Sequence, residues 1–449
     1  MASSPWFTYP AELEGSAELD DLNRYVKLAV EFGYQKEAEE TVRAYQEFLR
    51  AHLQKMNELI KTAEPSQEEP ETLEEIRAQR PQGEHRLCGT LPPEYHERWQ
   101  GSFLGRGAGC TLGAALEFSE VDEMERWAAY CGDSYPLQDY WSRVKRPFEN
   151  RYIIGQQQDL TRGHFGAIPV DDDTAYTLLG LLTLEEFGPA FTKEQMLQVW
   201  EQKIPLTGKN GSYGIYWGER QMMVNRLEGL SSEKAGFERN PNVQSVAAWT
   251  RADTWGYVAP GWPEKAAELA FQDASVNHRR NGVYGEMFMA AAISAAFVVD
   301  DPVEALRFAL REIPANCMFA QGVQWALEVG PTLKGYKEAA QLVRRRYKGM
   351  FKGHAINNAL FVVMGILLGK RDFTKVIGET IAMGYDNDCT GATAGSIVGA
   401  VIGKNGIPAH WYEPFQNRMQ CYLKGYPEYL DLDGLYLRYE TQAKKLLDQ

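Results

Sequence analysis

The chain has 449 residues and a formal net charge of −14. That length can bury a large core, either as one large domain with additions or as several domains. The acidic balance argues against non-specific binding to nucleic acid or to anionic membranes.

The first residues, MASSPWFTYPAELEG, have no basic start and no apolar segment of the kind a secretory leader needs. No run of 18 apolar residues follows anywhere, so no membrane-spanning helix is expected, and the expected location is cytoplasmic. Apolar residues at three-and-four spacing predict two helices over 17–32 and 34–63, broken at Gly33, as a helical hairpin. Residues 64–84 are acidic and punctuated by proline, and read equally as a linker or as a solvated helix. From about residue 95 to 410, small-residue and apolar helical stretches alternate with Gly- and Pro-rich loops, and period-two alternation is scarce. The fold class expected is all-α. The six cysteines, at 88, 110, 131, 317, 389 and 421, form no CxxC pair and suggest no disulfide framework.

Glycines recur every four residues at 101, 105, 109 and 113, and again at 391, 395, 399 and 403. Each costs about 1 kcal/mol against alanine inside a helix. A row of them makes a shallow groove in which another backbone can lie closely. Seven residues after Cys110 comes Glu117, expected two turns along on the face of Gly113. It is either a buried partner of an arginine or a site residue.

Three adjacent carboxylates, Asp171, Asp172 and Asp173, precede the apolar helix predicted to end at Gly188 and Pro189. One helix N-terminus needs one capping aspartate, and the others repel each other by about 1 kcal/mol per close pair even in water. In an extended turn Asp171 and Asp173 point one way and Asp172 the other. A hard divalent cation relieves such convergence. Asp386 and Asp388 repeat the design ahead of the second glycine-row helix, so both clusters are expected to meet around one metal centre.

Between the clusters lie candidates for a pocket wall: Trp255, His278, Asn281 and Tyr284, with Trp217 as a further aromatic. His164, seven residues before Asp171, is a candidate for a contact near the metal or the substrate, and His354, Asn357 and Asn358 form a weaker group. None has the spacing of a zinc site or of a Ser-His-Asp triad.

Together, and in this order, these stretches resemble the motifs of the ADP-ribosylglycohydrolase family. The first motif is carried by Gly101, Gly105, Gly109, Cys110, Gly113 and Glu117. The second is Asp171, Asp172, Asp173 and Thr174, and the third is Gly384, Asp386, Asp388, Cys389, Ala392, Gly395 and Gly399. The resemblance implies an all-α catalytic domain over 91–410, with a helical extension and acidic linker over 1–90 and a C-terminal extension over 411–449. It implies a hydrolase of glycosyl bonds, with two Mg²⁺ ions held between the second and third motifs. Asp172, Asp173, Asp386 and Asp388 match ligands, Asp171 stands where the family has a ligand threonine, and Glu117 and Asp386 are the expected catalytic carboxylates. Three departures stand out: Cys110 for an aspartate, Cys389 for a threonine and Asp171 for a threonine. Because a thiol is a poor Mg²⁺ ligand, the expectation is one or two ions, with Ca²⁺ or Mn²⁺ as alternatives.

The expected partner is a small-molecule or glycan substrate. Three functions remain open: hydrolysis of a ribosyl or ADP-ribosyl bond, hydrolysis of another furanoside, and a non-enzymatic structural or ligand-binding role. The altered motifs predict that protein-linked ADP-ribose is not the best substrate.

Overall fold

The computed structural model describes residues 15–62, 67–143, 158–205, 215 and 217–448. The side chain of Trp217 and most of the glycine-containing loop before it lie outside the described residues. The chain falls into two compact units, Met1–Ser66 with Arg345–Phe351, and Gln67–Arg344 with Lys352–Gln449.

The first unit carries the hairpin α1 (Gly15–Glu31) and α2 (Gln35–Lys61). Gly33 turns the chain between them at φ +88°, a conformation that costs a residue with a Cβ. Tyr25, Phe32, Phe48 and Leu53 are exposed on this hairpin.

The second unit is helical almost throughout. It opens with α3 (Leu73–Gln79), α4 (Tyr95–Ala114), α5 (Val121–Cys131), α6 (Asp172–Phe187) and α7 (Lys193–Lys203). Next come α8 (Trp217–Leu227), α9 (Ser232–Ala235), α10 (Asp253–Val258), α11 (Pro263–Ala274), α12 (Asn281–Ala296) and α13 (Pro302–Ala309). It continues with α14 (Met318–Val329), α15 (Tyr336–Arg346), α16 (Ala355–Gly369), α17 (Phe373–Ala382) and α18 (Asn387–Ile402), and ends in α19 (Leu432–Leu447). The strands β1 (Arg418–Gln420) and β2 (Tyr429–Asp431) pair antiparallel, with Met419 opposite Leu430. The expected all-α class is what the structure has, and no described helix is long and apolar enough to cross a membrane.

The acidic stretch before α4 is neither a free linker nor a fully solvated helix. Thr72 and Glu75 close a capping box on α3. Glu71 accepts from Arg279 and Arg280, and Arg80 reaches Glu264 at 2.6 Å and Glu312 at 2.8 Å. The segment is a strap tied to α11, to the turn after α13 and to the start of α12.

At the centre, α12 is buried at every residue and α18 at every residue from Asn387 to Val401. Such helices, apolar or small on all sides, belong inside a large protein. The two glycine rows do what their spacing predicts. A methyl placed on Gly101, Gly105 or Gly109 would sit 2.2, 2.3 or 2.0 Å from the carbonyl oxygen of Gly399, Gly395 or Gly391. One on Gly113 would sit 2.3 Å from that of Asn387. The helices α4 and α18 therefore run antiparallel with their backbones in contact, which brings the end of α4 to the start of α18.

Candidate active site

That antiparallel contact brings the first and third motifs together. The helix α4 ends at Ala114, so Glu117 does not ride two helical turns beyond Cys110 as its spacing suggested. It sits in the turn that follows, with its side chain exposed. Phe118, next along, has φ +58°, and its N–H donates to the carbonyl of Tyr385, which has φ +63°. Left-handed backbone at two bulky aromatics is strained. Each strained residue adjoins a carboxylate of the centre, Glu117 on one side and Asp386 on the other. Arg344 stacks over the Tyr385 ring at 4.8 Å, and Asn358 accepts from the Asp386 N–H at 3.3 Å, so the turn is held from both sides.

The second motif arrives on α6. Asp171 is its N-cap and accepts from the Asp173 N–H at 3.0 Å. One aspartate does the capping, and the next two open the helix. The Asp386 side chain caps nothing, although it occupies the N-cap position of α18. Ligand atoms of Glu117, Asp386 and Asp388 lie within 4.8 Å of one another. The same holds for Cys110, Asp171 and Asp173, and for Asp173, Asp388 and Cys389. Asp172, half-buried, belongs to none of these sets but lies in the field of Asp171, Asp173, Asp388 and Glu117. The two acidic clusters do converge.

The electrostatics follow from that convergence. Burial first, then Asp171, pushes the Asp388 carboxyl up to about 6. Burial, Asp388 and Glu117 raise Asp386 well above the usual carboxylate range. Glu117 is raised too, foremost by Asp388. Carboxylates that repel one another favour either protons or a cation. The Oδ1 atoms of Asp386 and Asp388, both residues 4% exposed, have no hydrogen-bond partner. Buried acceptors are rarely left so, and two aimed into one carboxylate cluster fit a hard cation.

Arg106 was not singled out by sequence reasoning. It is 2% exposed, on α4 among glycines. Its guanidinium donates to Asp173 Oδ1 and Asp253 Oδ2, both at 2.7 Å, and to the carbonyls of Asp173 and Thr250. Burial alone would lower its pKa, but Asp253 and Asp173 more than offset this and hold it charged. Burial likewise pushes Asp173 upward while Arg106 pulls it down. At 2.7 Å from a permanent cation, the ionised carboxylate is the form the pair requires. A lone arginine inside a row of small residues was the available signal, since such a charge is buried only with a partner.

The remaining candidates sit elsewhere. His164 is exposed in a surface turn, its Nδ1 between Thr161 Oγ1 and the Arg162 carbonyl. Trp255, His278, Asn281 and Tyr284 are all buried and are held by the protein's own groups rather than offered to a ligand. Trp255 Nε1 donates to Glu286 at 2.9 Å and to Asp273 at 3.2 Å. Asn281 spans Glu69, Gln244 and the Phe319 N–H, and the Tyr284 hydroxyl donates to the Pro70 carbonyl at 2.5 Å. Trp255 and His278 share Asp273 and Asn277 with the buried Arg251, which also contacts Glu219, while Asn281 and Tyr284 anchor the strap before α4. His354 caps α16 through Nδ1, which accepts from the Ile356 N–H.

His278 lies between Ser245 and Asn277, and burial, only partly offset by Glu219, pushes its pKa down to about 4. The unfolded chain takes up that proton near 6.5. Stability from this group is therefore complete above about 6.5 and is lost as the pH falls toward 4, by about 3 kcal/mol at most. Urea unfolding at pH 7.5 and 5.0 is expected to show a smaller acid loss for His278→Gln than for the wild type. An equal loss in both would show that His278 is not the group responsible.

The model of the family described as ADP-ribosylglycohydrolase matches residues 91–443. Comparison with curated proteins gives no significant match. Among solved structures, a chain described as "ADP-ribosylglycohydrolase-related protein complex" is 18% identical, at a TM-score of 0.47. That likeness covers 79% of this chain and 98% of that one. By the family match, which runs from just before α4 into α19 and takes in all three motifs, the chain belongs to the ADP-ribosylglycohydrolase family.

Proposed function

We propose that the protein is a cation-dependent hydrolase that cleaves a ribosyl, ADP-ribosyl or related furanosyl bond at the carboxylate centre. Membership of the family implies glycohydrolase activity on ADP-ribosyl-type substrates. The observation that carries the reading to this site is the meeting of exposed Glu117 with buried, partly unpartnered Asp386 and Asp388.

The residues divide the work by exposure. Glu117 is the carboxyl a substrate can touch. Ionised once a cation offsets the repulsion from Asp388 that raises it, it would complete the cation's oxygen set and favour the positive charge that develops at an anomeric carbon. Asp386 and Asp388, behind it, would hold a divalent cation, with Mg²⁺, Mn²⁺ and Ca²⁺ the candidates for oxygen donors. Such a cation supplies a Lewis-acid site for vicinal sugar hydroxyls. Asn358 and the strained Phe118–Tyr385 contact fix where these carboxylates point. The helices α6 and α18 begin at the centre, so their positive ends favour its carboxylates in the ionised form.

The substrate is read as neutral rather than pyrophosphate-bearing. Glu117, Asp171, Asp172, Asp173, Asp386 and Asp388 crowd one centre, and a dianionic group beside them is disfavoured. The test is a hydrolysis screen in Mg²⁺, Mn²⁺ or Ca²⁺ over ADP-ribosyl-arginine, ADP-ribosyl-serine, nucleosides and aryl furanosides. Cation-dependent, chelator-sensitive release, with neutral furanosides ahead in kcat/KM, is expected. No turnover of any of them would sink the hydrolase reading. An ADP-ribosyl substrate near 10⁴ M⁻¹s⁻¹, roughly the lower end of ordinary efficiency, with nothing on neutral glycosides, would overturn the substrate assignment alone.

A further inference from the structure

The family resemblance implies room for two ions, and this chain's own residues point to one. We infer that the centre takes a single divalent cation, on Glu117, Asp386 and Asp388, and that Arg106 is the built-in cation of the other half. The inference rests on reading these carboxylates as a cation site.

Two of the three second-motif carboxylates, Asp171 and Asp173, are already engaged. Asp173 gives Oδ1 to Arg106 at 2.7 Å and accepts the Cys389 thiol at Oδ2, 3.0 Å away. Its backbone carbonyl takes the Arg106 Nε at 2.9 Å. Asp171 caps α6, and its carboxylate lies within 4.8 Å of the Cys110 sulfur. Both cysteines stand where the resemblance places oxygen-bearing side chains, and both are buried. As a thiol, Cys389 donates a hydrogen bond to Asp173 instead of offering an oxygen to a metal, and the Cys110 thiol offers none either. Asp173 is thus paired with a guanidinium, which Asp253 shares, and with one S–H donor.

Among the described residues no arginine or lysine pairs with the carboxylates at the start of α18, although the Cys389 thiol also acts on Asp386. The Oδ1 atoms of Asp386 and Asp388 have no partner, and Glu117 adds a third oxygen donor within 4.8 Å. Unspent acceptors thus belong to residues whose ligand atoms lie within 4.8 Å of one another, and their oxygen donors suit a hard ion. Arg106 acts as a positioning residue: it fixes Asp173 against α4 and leaves the neighbouring set to carry the exchangeable charge.

Metal-free protein titrated with Mn²⁺, read by the loss of the free-ion paramagnetic resonance signal, counts ions without reference to turnover. One ion per wild-type chain, displaced by Mg²⁺, is expected, and this count needs no variant. Asp386→Asn is expected to weaken binding more than 100-fold. Asp173→Asn, with folding checked by circular dichroism, is expected to keep one ion within about tenfold of the wild-type affinity. Two ions per wild-type chain, or loss of binding in folded Asp173→Asn, would overturn the inference while leaving the hydrolase reading intact. No binding of Mn²⁺ would overturn both this inference and the cation dependence proposed for the reaction.

Discussion

Gly109→Ala is expected to destabilise the protein by about 3 kcal/mol or more, whereas Gly107→Ala, two residues away on the same helix, costs no more than about 1 kcal/mol. Helix propensity alone favours alanine by about 1 kcal/mol at both sites, so packing decides. At Gly109 the new methyl would meet Gly391 O at 2.0 Å, Gly391 C at 2.2 Å and Ala392 N at 2.7 Å, all backbone. Only separation of α4 from α18 relieves that. Ordinary overpacking costs about 1–3 kcal/mol because side chains give way, and here none can. At Gly107 the obstacle is the Ile168 side chain rather than backbone, so a small shift of one side chain relieves it. Denaturant midpoints of the two variants are the comparison. Equal stability would mean that α4 and α18 are not in backbone contact.

The second large effect is on chemistry. Asp388→Ala is expected to lower kcat/KM by 10³-fold or more, equivalent to roughly 4 kcal/mol of transition-state stabilisation. In cation-free buffer its thermal stability should equal or exceed the wild type. Asp388 raises the pKa of Glu117 more than any other group and adds to the burden on Asp386. Removing it relieves a repulsion that the folded state otherwise carries. Activity lost and stability gained in one substitution marks a site kept for function. A variant that keeps near-wild-type turnover would remove Asp388 from the centre, and one that is inactive but unfolded would show a structural role instead.

Much of the candidate site's geometry is legible in the sequence. The glycine rows gave the close helix pair because period four has few other uses in a helix interior. The clustered aspartates stood out because one cap cannot need three of them, and Asp171 takes the capping role. What spacing misplaced was Glu117: the helix stops at Ala114, and the carboxylate reaches the centre through a strained turn. Arg106 escaped notice because its partners, Asp173 and Asp253, are 67 and 147 residues away. Trp255, His278, Asn281 and Tyr284 misled for a related reason. Polar residues between turn signals suit a ligand pocket and a satisfied buried network equally, and only long-range partners such as Glu69 and Pro70 tell them apart.

A ladder of identical rungs cannot count. The two glycine rows would fit as closely if one helix slid by one glycine along the other, four residues or about 6 Å, yet Glu117 would then face the wrong part of α18. Proximity is written in the glycines; phase has to be written in groups that occur once. Ser102 and Ser396 are such a pair, with hydroxyls 2.8 Å apart and the Ser102 hydroxyl also 2.9 Å from the Ser396 carbonyl. Ser396 in turn hydrogen-bonds to Asp253, the carboxylate that Arg106 grips from α4. These polar groups work as a vernier mark on an otherwise featureless scale. Substitutions there can disarm the carboxylates without touching them, leaving a well-packed helix pair set one notch out.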